Sequence, residues 1–122
     1  IAVCGLEPYA GFLHSDRSGK PSLILDMMEE FRQPVIDRLV LRLVGSGKIQ
    51  ADDFHKEGAF IKLSDKARLV YIDAIFDELK VKIQTVDGHK LKLQQVIVHQ
   101  CRKLVRFLQR RETEYTTYSF NW

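Results

Sequence analysis

Residues 8–32 read PYAGFLHSDRSGKPSLILDMMEEFR, and how this stretch divides decides the fold. Its second half, from Ser22, sets Leu23, Met27, Met28 and Phe31 at near-helical spacing, which marks an amphipathic helix lying on a core. Its first half ends an apolar run on a histidine, Gly11-Phe12-Leu13-His14, and then passes through SDRSGKP, a cluster of turn formers. Pro8 can open a short helix reaching His14, because a first-turn residue needs no amide partner.

The chemistry in this stretch lies in three side chains. Asp26 and Glu29 are three apart, so on a helix they share a face. An imidazole brought in from the preceding loop would complete a mixed nitrogen and oxygen site for magnesium or manganese, the kind that handles phosphodiesters. The plainer reading is a capping box, in which an acid and a glutamate three residues later satisfy orphan amides at a helix start. A lone histidine beside an apolar run also serves commonly as a hydrogen-bonded structural residue. Arg17 and Lys20 stand in the loop where a phosphate could meet them.

Outward from here the pattern stays helical. Pro34 should kink or restart the helix, and Val35, Leu39 and Leu43, with Ile36, Val40 and Val44 between them, predict a wide buried stripe ended by Gly45-Ser46-Gly47. ADDFHKEGAFIKL, residues 51–63, predicts a hairpin turning at Lys56-Glu57-Gly58. Ser64 reads as an N-cap, and Leu69, Ile72, Ile75, Phe76 and Leu79 as the inward face of the helix that follows. KVKIQTV alternates like a short strand before a turn at Val86-Asp87-Gly88, but residues 80–91 stay ambiguous. Residues 91–110 give the clearest helix: Leu93, Ile97, Cys101, Leu104 and Leu108 on one stripe, His99, Lys103, Arg106 and Arg110 on another. The aromatic end, from Tyr115 to Trp122, should fold back onto the helices. Upstream, IAVCGL reads as the last turns of a helix entered partway and ended at Gly5.

Length and composition fit one domain: 122 residues, 45% hydrophobic and 29% charged. No apolar run approaches the ~20 residues of a membrane span, so no membrane partner is expected. Cys4 and Cys101 make neither a disulfide framework nor a zinc site; both read as small buried residues, and a reducing cytoplasm is the simplest setting. The net charge of +3 hides an asymmetry: nine Lys or Arg face the single Asp87 between Lys80 and Arg111, leaving the rest net acidic. One surface to hold a nucleic-acid backbone and another to hold metal would suit a DNA enzyme; a solvated helix face is the alternative.

The blocks GLEPYAGFLH and SLILDMMEEFR, their separation, and the later DRLVLRLV, EGAFIKLSDKARLVYIDAI and QCRKLVRFLQR together resemble the catalytic C-terminal region of the CRISPR-associated adaptation integrase, the Cas-one family. The resemblance covers essentially the whole chain. It implies a mainly α fold, a helical domain with one small β-hairpin, as residues 1–122 of a catalytic-type fragment whose N-terminal β domain and first helices are missing. It implies a homodimer that assembles with a Cas-two type partner protein and inserts spacer-precursor DNA into a CRISPR repeat. The free 3′ hydroxyl of the incoming DNA attacks a phosphodiester, and many members also cut branched DNA. In the family pattern His14 matches the metal-binding histidine, Glu29 the acidic ligand, and Asp26 a nearby acid that supports the catalytic site. Arg32 falls where a basic residue can face DNA. The glutamate ligand from an earlier helix has no counterpart here, so a weak or inactive fragment is expected.

A rival of another class is a non-catalytic nucleic-acid-binding module of winged-helix type, with the 51–63 hairpin as wing and the Ser64 helix beside it. A dimerisation domain with a purely structural role is a third.

Overall fold

The first long helix starts at Ser22, where the apolar spacing predicts it, and this start sets the place of the acids. The computed structural model describes residues 1–14, 18–80, 83–86 and 88–119, and the side chains within them except those of 83–85. Helix α1 runs Ser22–Phe31, so Asp26 sits mid-helix and cannot form the capping box considered above. At Pro34 the helical stretch continues without a break. Residues Arg32–Asp37 widen into a π-helical turn, and the Arg38 amide reaches back five residues to the Gln33 carbonyl. The wider turn absorbs a residue with no N–H and a ring that crowds the preceding turn. Helix α2, Arg38–Gly45, continues the rod, and Gly47 adopts a φ of 71° as the chain leaves it.

Three apolar clusters line this rod in succession. Leu23 and Met27 pack with Leu6, Cys101 and Leu104. Phe31 and Val35 pack with Leu93 and Val96. Leu39 and Leu43 pack with Ile49 and Ala67. Apart from Leu6 and Ile49, their partners come from helix α4, Leu93–Leu108, beside the first half of the rod, and helix α3, Asp65–Lys80, beside the second. At ~1.5–3 kcal/mol for each large apolar side chain removed from water, these contacts are the main favourable term in the fold.

The expected hairpin is present as β1, Phe54–Glu57, and β2, Phe60–Leu63, with Glu57 opposite Phe60 and Gly58 at a φ of 61° in the turn. Ser64 caps α3 as expected: its Oγ accepts the Ala67 amide at 3.2 Å and donates to Asp53. The stretch that stayed ambiguous forms a second antiparallel hairpin, β3, Ile83–Val86, and β4, His89–Lys92. Asp87, in its turn, lies outside the described residues. No helix among the described residues is long and apolar enough to cross a membrane.

Five details of the sequence reading need correction. Val40 and Val44 are exposed, because a helix flanked by partners on one side buries only Leu39 and Leu43. On α3 the buried face carries Ala67 and the half-buried Val70, Tyr71, Ala74 and Ile75, while Leu69, Ile72 and Phe76 face outward. That helix is apolar on two sides, and of the expected inward residues only Ile75 and Leu79 are packed against the core. On α4, Val96 and Gln100 are in the core and Leu108 is exposed. Cys101 is buried as expected, but Cys4 is only half-buried, at the end of a short 3-10 turn closed by Gly5. Residues 8–14 are not helical, for a reason that defines the candidate site.

Candidate functional site

Residues 8–14 lie across the start of α1, stitched to it from both sides. The Pro8 carbonyl accepts the Leu23 amide at 3.0 Å, one of the orphan donors of the helix start. The fully buried Ser22 donates its Oγ to the Tyr9 carbonyl at 2.5 Å. Gly11 then passes so close to the helix that a Cβ there would stand 2.5 Å from Ser22 Cβ and 2.9 Å from Asp26 Oδ2. Only glycine permits this approach, and the approach aims the next three amides at one carboxylate.

Asp26 receives them all. Its Oδ2 accepts the Phe12 and Leu13 amides at 2.6 and 3.0 Å, and its Oδ1 accepts the His14 amide at 2.9 Å. The His14 ring Nδ1 also lies 2.6 Å from Oδ1. Successive amides converging on an anion form a nest, here occupied by the protein's own carboxylate. The amides that a helix over residues 9–14 would have spent internally are spent here instead.

The electrostatics follow from this geometry. Burial acts to raise the pKa of Asp26, but the bonds from the Phe12 amide, the His14 ring, and the Leu13 and His14 amides outweigh it, lowering the carboxyl from 3.8 to about 2. A carboxylate ionised at neutral pH only accepts, so the proton between the two side chains belongs to Nδ1 of His14. In its neutral form the ring is thereby held in one tautomer, with the lone pair on Nε2, the arrangement by which a carboxylate orients a ligating or proton-accepting histidine. The His14 side chain remains 43% exposed while that of Asp26 is fully covered. Both oxygens of Asp26 are engaged, so its influence on chemistry passes through His14.

Glu29 lies on the exposed surface of α1, with its carboxylate 3.5 Å from the Arg32 guanidinium. Beside it opens a cleft of about 770 Å³ whose lining includes Phe12, Leu13, Asp26, Glu29, Arg32 and Asp37. The aromatic tail folds back as expected: Tyr115, Thr117, Tyr118 and Ser119 border the same space. Phe120 and Trp122 lie outside the described residues. Lys20 is exposed in the turn before α1, and Arg17 lies outside the described residues.

The structure thus brings His14 and Asp26 into contact, and places Asp26, Glu29 and Arg32 along one cleft. Among the described residues no group of three or more His, Cys, Asp or Glu side chains is placed to hold a metal ion. The donor types suit a hard divalent cation, but His14 and Glu29 are at most two ligands of the six or so it takes. Sequence reasoning missed Gly11, which carried no signal beyond its place in GFLH, and Glu30, which was hidden beside Glu29.

The helical rod with its two flanking helices and two hairpins is similar in fold to solved structures of a casposase and of a Cas1 protein. A casposase bound to integration product is similar with a TM-score of 0.78 and 25% identity, over 93% of this chain and 33% of that one. A Cas1 protein from Thermotoga maritima is similar with a TM-score of 0.73 and 27% identity, over 95% of this chain and 34% of that one. The sequence profile described as CRISPR associated protein Cas1 matches residues 1–77, and the chain belongs to that family. A curated relative from Archaeoglobus fulgidus, named CRISPR-associated endonuclease Cas1 1, is 40% identical over all 122 residues. The chain spans 35% of that relative's length.

Proposed function

We propose that this chain is the C-terminal, catalytic helical part of a metal-dependent DNA integrase and endonuclease that inserts new spacers into CRISPR arrays. The observation that carries this reading is the His14–Asp26 pair, an imidazole held by a buried carboxylate that also borders an acidic cleft, within a Cas1 family chain. Family membership ranks this reading above the winged-helix module. The names of the relatives, an endonuclease and a casposase bound to integration product, support the two activities.

In the proposed reaction the 3′ hydroxyl oxygen of a spacer precursor forms a bond to a phosphorus of the CRISPR repeat, and the bond to the repeat's own leaving oxygen breaks. The attacking hydroxyl gives up a proton and the leaving oxygen gains one, so the number of phosphodiesters is unchanged. A bound magnesium or manganese ion would supply the positive charge that the crowded phosphorus requires. His14, through Nε2, and Glu29 would hold it together with water and a further donor from outside these residues. Asp26 keeps the His14 ring aimed and its Nδ1 protonated. Arg32, with Lys20 and Arg17 in the preceding loop, would meet the DNA backbone, which positions the substrate without reading its bases. The working protein is proposed to be a cytoplasmic homodimer that assembles with a Cas-two type partner.

The test is strand transfer by the full-length protein into a CRISPR array. His14→Ala and Glu29→Ala should each abolish transfer while DNA binding stays within about threefold of wild type, since neither residue is proposed to supply much of the backbone contact. Unimpaired integration by the His14→Ala protein would overturn the reading.

A further inference from the structure

The tail bordering the cleft is held by a second set of contacts that the proposed chemistry does not use. At its centre is Glu30, the neighbour of Glu29 on α1. One of its carboxylate oxygens accepts the Tyr115 hydroxyl. The other accepts the side-chain amide of the buried Gln100 at 3.0 Å and the backbone amide of Tyr118 at 3.1 Å. Gln100 also donates to the Thr116 carbonyl at 3.2 Å, and Lys103 reaches the Thr116 hydroxyl at 2.8 Å. The Tyr118 ring stacks on Phe31 with centroids 5.2 Å apart, and Arg106 pairs with Glu112 at 2.5 Å.

Residues 112–119 form no regular secondary structure, so without these anchors little would fix their path. Glu112, Tyr115, Thr116 and Tyr118 are fastened to the helices behind. Thr117 and Ser119 are exposed and line the cleft. They share the lining with four carboxylates, of which Asp26 and Glu30 are taken up by hydrogen bonds and Glu29 pairs with Arg32, the one cation in the lining. A phosphate entering such a space meets an excess of negative charge and needs neutral donors.

We propose that residues 112–119 are a strap that completes the DNA-binding face of the cleft, with Glu30 as the positioning residue that fastens it and the Thr117 and Ser119 hydroxyls as donors to the sugar–phosphate backbone. This rests on the reading that the cleft takes DNA. A carboxylate is required at position 30 because three donors converge on it. A glutamine there offers one neutral oxygen to the Gln100 and Tyr118 amides and leaves its NH₂ facing the Tyr115 hydroxyl, which must then accept, so three charge-assisted bonds become weaker neutral ones.

The experiment uses the full-length protein, a fluorescent branched DNA read by anisotropy, and the strand-transfer rate. Glu30→Gln should raise amide hydrogen exchange at Tyr118 by about tenfold and weaken DNA binding and KM by roughly fivefold, with kcat within about twofold. Thr117→Val combined with Ser119→Ala should weaken DNA binding to a similar extent while Tyr118 exchange stays at the wild-type rate. His14→Ala should do the opposite, lowering kcat and sparing affinity. A strap loosened by Glu30→Gln without loss of DNA affinity overturns the proposal, and so does an unchanged affinity in the double variant. If the wild-type protein binds DNA but transfers no strands, the integrase reading fails, and the anisotropy arms still decide the strap.

Discussion

Asp26 Oδ1 lies 2.6 Å from the His14 ring nitrogen Nδ1 and 2.9 Å from the backbone nitrogen of the same residue, so one oxygen fixes both the position and the rotation of the imidazole. A histidine held at two points by one anion has little freedom left to lose when a ligand arrives, which is the pre-organisation that a ligating or proton-accepting ring requires.

This contact has a pH signature. The Asp26 carboxyl is lowered from 3.8 to about 2, so the folded state binds its proton less readily than the unfolded state. The stabilisation is therefore complete above the unfolded value and is lost as the pH falls through about 2, amounting to about 2 kcal/mol. Urea unfolding of wild type and Asp26→Asn at pH 5, 3 and 2 should show this component in the first protein and not in the second. Parallel acid profiles would mean that the nest does not hold the charge.

Gly11→Ala tests the close approach. The new methyl would meet Ser22 Cβ at 2.5 Å and the Ser22 carbonyl carbon at 3.0 Å, and both belong to a buried helix start that cannot retreat. A loss of about 1–3 kcal/mol is expected, as for overpacking elsewhere, together with release of the Phe12 to His14 amides. Faster hydrogen exchange at those three amides, with the α1 amides still protected, would be the confirming pattern. Unchanged exchange would show that the loop can sit higher than it does.

Metal binding gives a third check. In the full-length protein, calorimetric manganese titration should show Asp26→Asn weakening affinity by roughly 10–100-fold through misorientation of His14, with His14→Ala weaker still. An Asp26→Asn protein that binds manganese as wild type does would separate the pair from the metal.

The rod offers a fourth. Leu39 is 1% exposed and its neighbour Val40 is 41% exposed. Leu39→Ala should cost about 2–5 kcal/mol in this chain, and Val40→Ala well under 1 kcal/mol, measured by thermal or urea unfolding. Equal losses would place Val40 in the core after all.

The helices were legible in the sequence because their apolar residues recur at helical spacing, and the β1–β2 hairpin because Gly58 marks its turn. The buried face of α3 was not, since Leu69, Ile72 and Phe76 make as good a stripe as Ala67, Tyr71 and Ile75, and periodicity cannot say where the partner lies. Residues 8–14 were misread for a different reason. Their conformation is dictated by a carboxylate 12 to 14 positions away, and no local propensity encodes that. His14 and Asp26 stood out as chemistry-bearing residues, yet the amides that join them, and Gly11 that lets them meet, are backbone features without a side-chain signature. Glu30 was passed over because its partners, Gln100, Tyr115 and Tyr118, are about 70 to 88 positions distant.

The π turn at Arg32–Asp37 has an effect on phase. One additional residue in a helical rod rotates everything beyond it by about 100° relative to an unbroken α-helix. The carboxylates of α1 and the leucines of α2 therefore follow separate azimuths along a single axis, the first toward the cleft and the second toward α3. Excising Gln33 would tidy the rod into a regular helix and swing one of these faces out of alignment with its counterpart. The irregularity at Pro34 acts as a gear between the half of the rod that carries the carboxylates and packs on α4 and the half that packs on α3.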